Sequence, residues 1–167
     1  RALPDGNLVG GPTITAGFGH NAGVQTAEVF VMDYEQRRVI KHLVPVPGAT
    51  AIQCVAVTAD GLVCGLTNRA DLFLLDPRQD AIGARISLTE YGSILGPDQA
   101  LFTHRGRLYA LVGNALLDIR TSPAADSIEV RQVTELPAAA TAGTGVVQDR
   151  VFYAAGAEVW SIPLPRE

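Results

Sequence analysis

The chain has 167 residues, of which 47% are hydrophobic and 18% are charged, so it has enough apolar side chain to bury a core. Its formal net charge of -4 leaves no broad basic surface, which argues against nucleic acid as a partner. No apolar run approaches the roughly 20 residues that a membrane-spanning helix needs, so we expect no membrane span.

The first predicted unit, residues 1–44, contains two apolar runs of strand type. The first run, Leu8-Val9, follows a turn at Asp5-Gly6, and the second run, Phe30 to Asp33, ends in an aspartate. We expect the innermost strand of this unit to be absent apart from Ala2-Leu3.

A glycine-rich stretch from Gly17 to Gly23 separates these two runs and is predicted to be a long loop. It contains His20 and Asn21. An imidazole in such a loop could act as a general base or bind a metal, although most loop histidines are only solvated. The loop is not a phosphate-binding loop, because no helix follows its glycines.

The second unit, residues 45–90, is predicted to contain four antiparallel strands. With a two-residue turn at Asp60-Gly61, Cys64 faces Val57 and not Cys54, so we expect two buried thiols and no disulfide. Two cysteines without nearby Cys or His partners do not make a zinc site. The predicted strands are Ala51–Thr58, Leu62–Thr67, Asp71–Asp76 and Gly83–Leu88.

The third and fourth units, residues 91–135 and 136–167, repeat the same pattern. The apolar runs ending in Asp33, Asp76 and Asp118 recur at steps of 43 and 42 residues, and Ser161 follows at a similar step. These aspartates are predicted to start turns.

Together the units predict an all-β fold: a β-propeller segment of four antiparallel four-stranded blades, incomplete at both ends. A β-sandwich has similar strand spacing but no reason to repeat its turn markers in step. Open edges at both ends would need cover, either from the remaining blades of a parent protein or from a second copy. A self-closed ring of four blades, similar to hemopexin-like domains, is the alternative.

Two segments of the second unit, from Asp60 to Leu66 and from Asp71 to Pro77, resemble the blades of bacterial quinoprotein-like and WD-repeat-like propellers. That resemblance implies the fold only, because such propellers include oxidoreductases, lactonases, polysaccharide lyases and plain binding domains. The glycine-rich insert also resembles those of secreted, glycan-associated bacterial propellers. This likeness implies a carbohydrate ligand and a secreted or periplasmic location.

In a propeller, the loops from second to third strand and from blade to blade emerge on one face. We expect a polar mouth there, in which Arg69 could hold a carboxylate or sugar hydroxyls and Tyr91 could stack on a sugar or pack on the next blade. No cofactor motif accompanies these residues. The candidate ligand-binding residues are His20, Asn21, Asn68, Arg69, Tyr91, Asp98, Gln99 and Asn114.

Three functions remain open. The first is a non-catalytic propeller segment of a larger or self-associating protein that binds a ligand or partner. The second is part of a glycan-active enzyme such as a polysaccharide lyase, in which His20, Arg69 and Tyr91 would neutralise a uronate and move a proton. The third is a protein–protein interaction platform that uses exposed strand edges.

Overall fold

The computed structural model describes residues 1–14, 26–93 and 100–165. In these ranges the chain is all-β, as predicted, with four antiparallel sheets and one short 3₁₀ turn at Thr89–Tyr91. The described part has no helix of the length and apolar character needed to span a membrane.

Each sheet is a meander in which every strand pairs with its neighbours in sequence. The first sheet has three strands, the second and third have four, and the fourth has three, so four-stranded units are confirmed only for the middle two. The strands are β1 Leu8–Gly10, β2 Val29–Asp33 and β3 Arg38–Leu43; β4 Ile52–Val57, β5 Val63–Thr67, β6 Asp71–Leu75 and β7 Ile82–Ser87; β8 Leu101–His104, β9 Arg107–Val112, β10 Ala115–Thr121 and β11 Ile128–Glu135; and β12 Ala142–Val147, β13 Arg150–Ala155 and β14 Glu158–Pro163.

Each sheet lies within one of the predicted units 1–44, 45–90, 91–135 and 136–167. The four strands of the second sheet begin and end within one residue of their predicted bounds. In the first sheet, the predicted remnant of an innermost strand is present as a single bridge between Ala2 and Leu8. This bridge is too short to form a fourth strand.

Because the strands run antiparallel, their turns alternate between two ends of each sheet. We call the end with the hairpins at residues 58–62, 105–106 and 148–149 the lower end. The upper end carries the turns at residues 68–70 and 113–114 together with the connections between sheets.

The hairpin between β4 and β5 corrects the predicted register by one residue. Its loop has three residues, because the Thr58 N–H donates to the Leu62 carbonyl and the Gly61 N–H donates to the Thr58 carbonyl. Gly61 has φ +80°, which a glycine adopts without strain. Cys64 therefore faces Ala56 instead of Val57. Both cysteines are free; Cys64 is buried, as predicted, whereas Cys54 is only partly buried.

Two of the three repeated aspartates start turns, as predicted. The Asp33 carboxylate accepts the N–H of Gln36, and the Asp76 carboxylate accepts the N–H of Arg78. The prediction is wrong for Asp118, which lies inside β10. That strand continues to Thr121, so the following turn starts later and leaves the carboxylate within the sheet.

Consecutive sheets pack face to face. One face of the second sheet packs on the first sheet, where Val63, Phe73 and Leu75 share a buried cluster with Val29 and Val31. The opposite face belongs to a larger core shared with the third and fourth sheets. Every residue of β5 is consequently buried, and each such apolar side chain contributes roughly 1.5–3 kcal/mol through burial.

The outer faces of the first and fourth sheets are apolar and open to solvent. On the fourth sheet Phe152 and Val159 are exposed, whereas Val151 and Tyr153 on its other face are buried against the third sheet. On the first sheet Val39 and Ile40 of β3 are exposed, and Val39 pairs with the half-buried Met32.

The glycine at position 65 makes room for an aromatic ring. A methyl group at Gly65 would collide with the end of the Phe73 ring, which is fully buried on the adjacent strand. We therefore expect Gly65→Ala to lower the free energy of unfolding by about 1–3 kcal/mol in urea denaturation. Gly145→Ala is the matched control, because its added methyl group meets no atom within 4 Å. Equal stability of the two variants would contradict the packing described here.

Candidate functional site

Four of the eight predicted ligand-binding residues, His20, Asn21, Asp98 and Gln99, lie outside the described residues. The other four lie at the upper end, in the turns that follow β5 and β9 and in the 3₁₀ turn. They are Asn68, Arg69, Tyr91 and Asn114.

The Asn68 side chain fixes the connection that leads from the first sheet into the second. Its Oδ1 accepts the N–H groups of Thr50 and Ala51 at 3.0 and 3.1 Å, and its Nδ2 donates to the Thr50 hydroxyl at 2.9 Å. These bonds tie the connection from the first sheet onto the second. Asn68 therefore has a structural role, and its side chain has little hydrogen-bonding capacity left for a ligand.

Arg69 uses only some of its N–H groups in contacts with the rest of the protein. Its Nη1 donates to the Pro47 carbonyl at 3.3 Å, and its Nε lies 4.0 Å from Asp71 Oδ2. The guanidinium lines a shallow cavity of about 410 Å³ together with Thr89, Gly92 and Ser93. A ligand carboxylate could still reach its remaining N–H groups.

Tyr91 lies where the upper ends of the second and third sheets meet. The Gly113 N–H donates to the Ser93 carbonyl at 2.8 Å, and a side chain at Gly113 would collide with the Tyr91 carbonyl. Desolvation, followed by the neighbouring Glu90 carboxylate, raises the pKa of the Tyr91 phenol. Asn114 donates to Glu135 at 2.8 Å.

A second cavity, of about 340 Å³, is lined by one segment from each of the four sheets. In the second, third and fourth sheets the segment belongs to the first strand, and in the first sheet it is the pair of residues before Leu3. The lining residues are Arg1 and Ala2, Ala56 and Val57, Leu101 to Thr103, and Thr144 to Val146.

The lower end carries a buried carboxylate surrounded by arginines, which sequence reasoning missed. Asp118 is 1% exposed, and its Oδ2 lies 2.7 Å from Arg107 Nη2, 3.3 Å from Arg131 Nη2 and 3.7 Å from Arg120 Nε. Its Oδ1 is buried without a hydrogen-bond partner among the described residues. We call these four residues the Asp118 cluster.

Packing fixes one arginine of the Asp118 cluster more firmly than the others. The Arg107 guanidinium lies 5.6 Å from the centre of the Tyr109 ring, which stacks on Phe102 at 5.7 Å. Its side chain is 26% exposed, whereas those of Arg120 and Arg131 are 66% and 65% exposed. Two guanidinium groups therefore face solvent.

The Asp118 cluster borders a cavity of about 430 Å³ at the lower end, between the second and third sheets. Arg107, Asp118 and Arg120 line it from the third sheet. The β4–β5 hairpin contributes Thr58 and Asp60 from the second sheet. We call this the lower cavity; Thr103 and Thr121 add two further hydroxyl groups.

A signal for this cluster is present in the sequence. Asp118 and Arg120 alternate with apolar residues inside an apolar run, where charged side chains are uncommon unless paired. Arg131 faces Asp118 across the β10–β11 pair. The repeat spacing of Asp118 predicts a turn residue instead, and that prediction conceals the signal.

The two cysteines and His104 are further reactive side chains of the described residues. Burial raises the pKa of the Cys54 thiol to about 11 and that of Cys64 further still, so both thiols stay protonated near neutral pH. His104 lies 3.1 Å from Asp149, whose carboxylate also pairs with Arg105 at 2.8 Å. In the described ranges no three His, Cys, Asp or Glu side chains are grouped to hold a metal ion.

Neither a protein-family model nor a curated protein matches this chain. The function must therefore be argued from the geometry of the sheets and their cavities.

Removing the Asp118 carboxylate should leave the three arginines without their shared counter-charge. We expect Asp118→Asn to lower the free energy of unfolding by about 1–3 kcal/mol, less than the 3–5 kcal/mol typical of fully buried pairs, because two of the arginines are solvated. The control is Asp80→Asn, which removes a 91% exposed carboxylate from Lys41. Because Lys41 keeps its hydrogen bonds to the Pro77 and Gln79 carbonyls, the loss should be less than about 1 kcal/mol. Equal losses for both variants in urea denaturation would contradict a structural role for the buried carboxylate.

Proposed function

We propose that the four sheets are blades of a β-propeller segment that serves as a ligand- or partner-binding scaffold in a larger or self-associating protein. One observation carries this proposal, the cavity that a segment of each sheet lines together. In a propeller the innermost strands of all blades surround one channel, whereas two stacked layers have no reason to bring three first strands and the residues before β1 to one cavity.

The alignment of the sheet ends supports the same arrangement. At the lower end, hairpins of neighbouring sheets meet: Asp5 lines one small cavity with Gly61, and His104 pairs with Asp149. At the upper end, turns of one sheet contact the connection to the next. Blades placed side by side around an axis bring equivalent turns together in this way.

The exposed faces suggest what lies beside the segment. Phe30 and Phe73 occupy equivalent positions 43 residues apart, and each ring lies over a glycine of the adjacent strand, Gly10 and Gly65 respectively. Phe73 packs toward the first sheet. The Phe30 face of the first sheet is therefore the surface on which a preceding blade would pack.

The open face of the fourth sheet lies at the other end of the row of sheets. The buried face of this sheet, with Tyr153, packs on the third sheet, so its exposed face, with Phe152 and Val159, is the one on which a following blade would pack. The open face of the first sheet and the open face of the fourth sheet could therefore pack against each other. Further blades of a parent protein, or a second copy of this chain, would cover both faces. The resemblance of the sequence to quinoprotein-like and WD-repeat-like propellers supports the same proposal.

A binding role is favoured over a catalytic role by the state of the upper-end residues. Asn68 Oδ1 already accepts the backbone N–H groups of Thr50 and Ala51, which leaves it little capacity for a reacting group. A glycan-active enzyme would depend on His20, which lies outside the described residues. A protein-interaction platform differs from the present proposal only in what occupies the exposed faces.

Exposed apolar faces of this kind should make the isolated chain self-associate. We expect the weight-average mass in sedimentation equilibrium to rise with concentration, and Val159→Glu to reduce that rise by placing a charge on the fourth sheet's open face. Val159 is 77% exposed, so the variant should fold. Tyr34→Glu, in the β2–β3 turn, is the matched control. A monomer at every concentration that binds no apolar dye would contradict the proposal.

A further inference from the structure

The Asp118 cluster contains three arginines and one aspartate, so the carboxylate neutralises only part of the positive charge. Three guanidinium groups lie within 4 Å of one carboxylate oxygen, an excess of two positive charges over that carboxylate. The nearest further carboxylates are those of Glu129, which lies opposite Arg120 in the β10–β11 pair, and Asp60, across the lower cavity. Clusters of this kind attract anions, because like charges held together repel until a counter-charge joins them. The overall charge of the chain is negative, so the excess is local.

Arg120 is the guanidinium best placed to bind a ligand. Its Nε lies 3.7 Å from Asp118, beyond a normal hydrogen bond, and it makes no hydrogen bond to any described residue. Two-thirds of its side chain is exposed, and it lines the lower cavity. Its planar fork therefore remains free for bidentate binding of a carboxylate.

Arg107 gives the lower cavity a fixed second donor group. The Asp118 carboxylate and the Tyr109 ring hold its guanidinium from two sides. A positioned guanidinium loses little conformational freedom when a ligand binds. An acidic group between Arg107 and Arg120 would meet one rigid partner and one adaptable partner.

The opposite wall of the lower cavity favours hydroxyl groups. It presents the Asp60 carboxylate and the Thr58 hydroxyl, and Thr103 and Thr121 add hydroxyls from the third sheet. Asp60 would repel a phosphate dianion but accepts hydrogen bonds from sugar hydroxyls. The volume of about 430 Å³ lies within the roughly 300–1,000 Å³ common for ligand pockets.

We propose that the lower cavity binds an acidic sugar, with its carboxylate on Arg107 and Arg120 and its hydroxyl groups on Asp60 and the threonines. The ligand class is a uronate or a closely similar polyhydroxy carboxylate. This inference rests on the scaffold role proposed above and places its ligand at the lower end, opposite the mouth expected from the sequence.

The test is isothermal titration of the chain with sodium D-glucuronate at low ionic strength. We expect saturable binding that Arg120→Gln weakens at least tenfold and Asp60→Asn weakens several-fold. Arg38→Gln removes an exposed arginine from the first sheet and should leave the affinity unchanged. Thermal denaturation of each variant checks that the fold is retained.

Two comparison ligands decide the chemical class. Glucose has the hydroxyl groups without the charge, and inorganic phosphate has charge without the sugar ring; both should bind at least tenfold more weakly than glucuronate. Equal binding of either comparison ligand would overturn the assignment, as would absence of glucuronate binding or an unchanged affinity in Arg120→Gln. Sedimentation of the same samples reports self-association separately, so the two proposals can fail independently.

Discussion

The structure depends on burial of apolar residues on both faces of its inner sheets. Strand β5 is buried along its whole length, and Phe73 and Leu74, adjacent on β6, face different neighbouring sheets. A sheet that is apolar on both faces is stable only when another sheet covers each face. That requirement explains why the four sheets pack in sequence order and why the outermost two each retain an open apolar face.

The same constraint confines polar chemistry to the ends of the sheets. Side chains in the middle of the strands are committed to packing, so polar groups with spare hydrogen-bonding capacity collect in turns and at strand ends. The upper end uses much of this capacity for its own connections, as Asn68 shows. The lower end keeps more of it, because Arg120 is held near Asp118 without a hydrogen bond.

The sequence predicted the strands well and the side-chain clusters poorly, for physical reasons. Strand positions follow from local alternation and turn residues, which the second unit shows clearly. The Asp60-Gly61 turn was placed correctly, but its loop length depends on backbone hydrogen bonds that composition does not specify. The Asp118 cluster joins residues from three strands, so it becomes visible only when the register is known.

Distances between spin labels test the proposed radial arrangement of the sheets most directly. One pair, at Ala2 and Val147, joins the bridge before β1 to the first strand of the fourth sheet; the other, at Val39 and Val159, joins the last strands of the first and fourth sheets. With both native cysteines replaced, double electron–electron resonance should give a clearly longer distance for the second pair. Equal distances for the two pairs would indicate parallel layers and contradict the account.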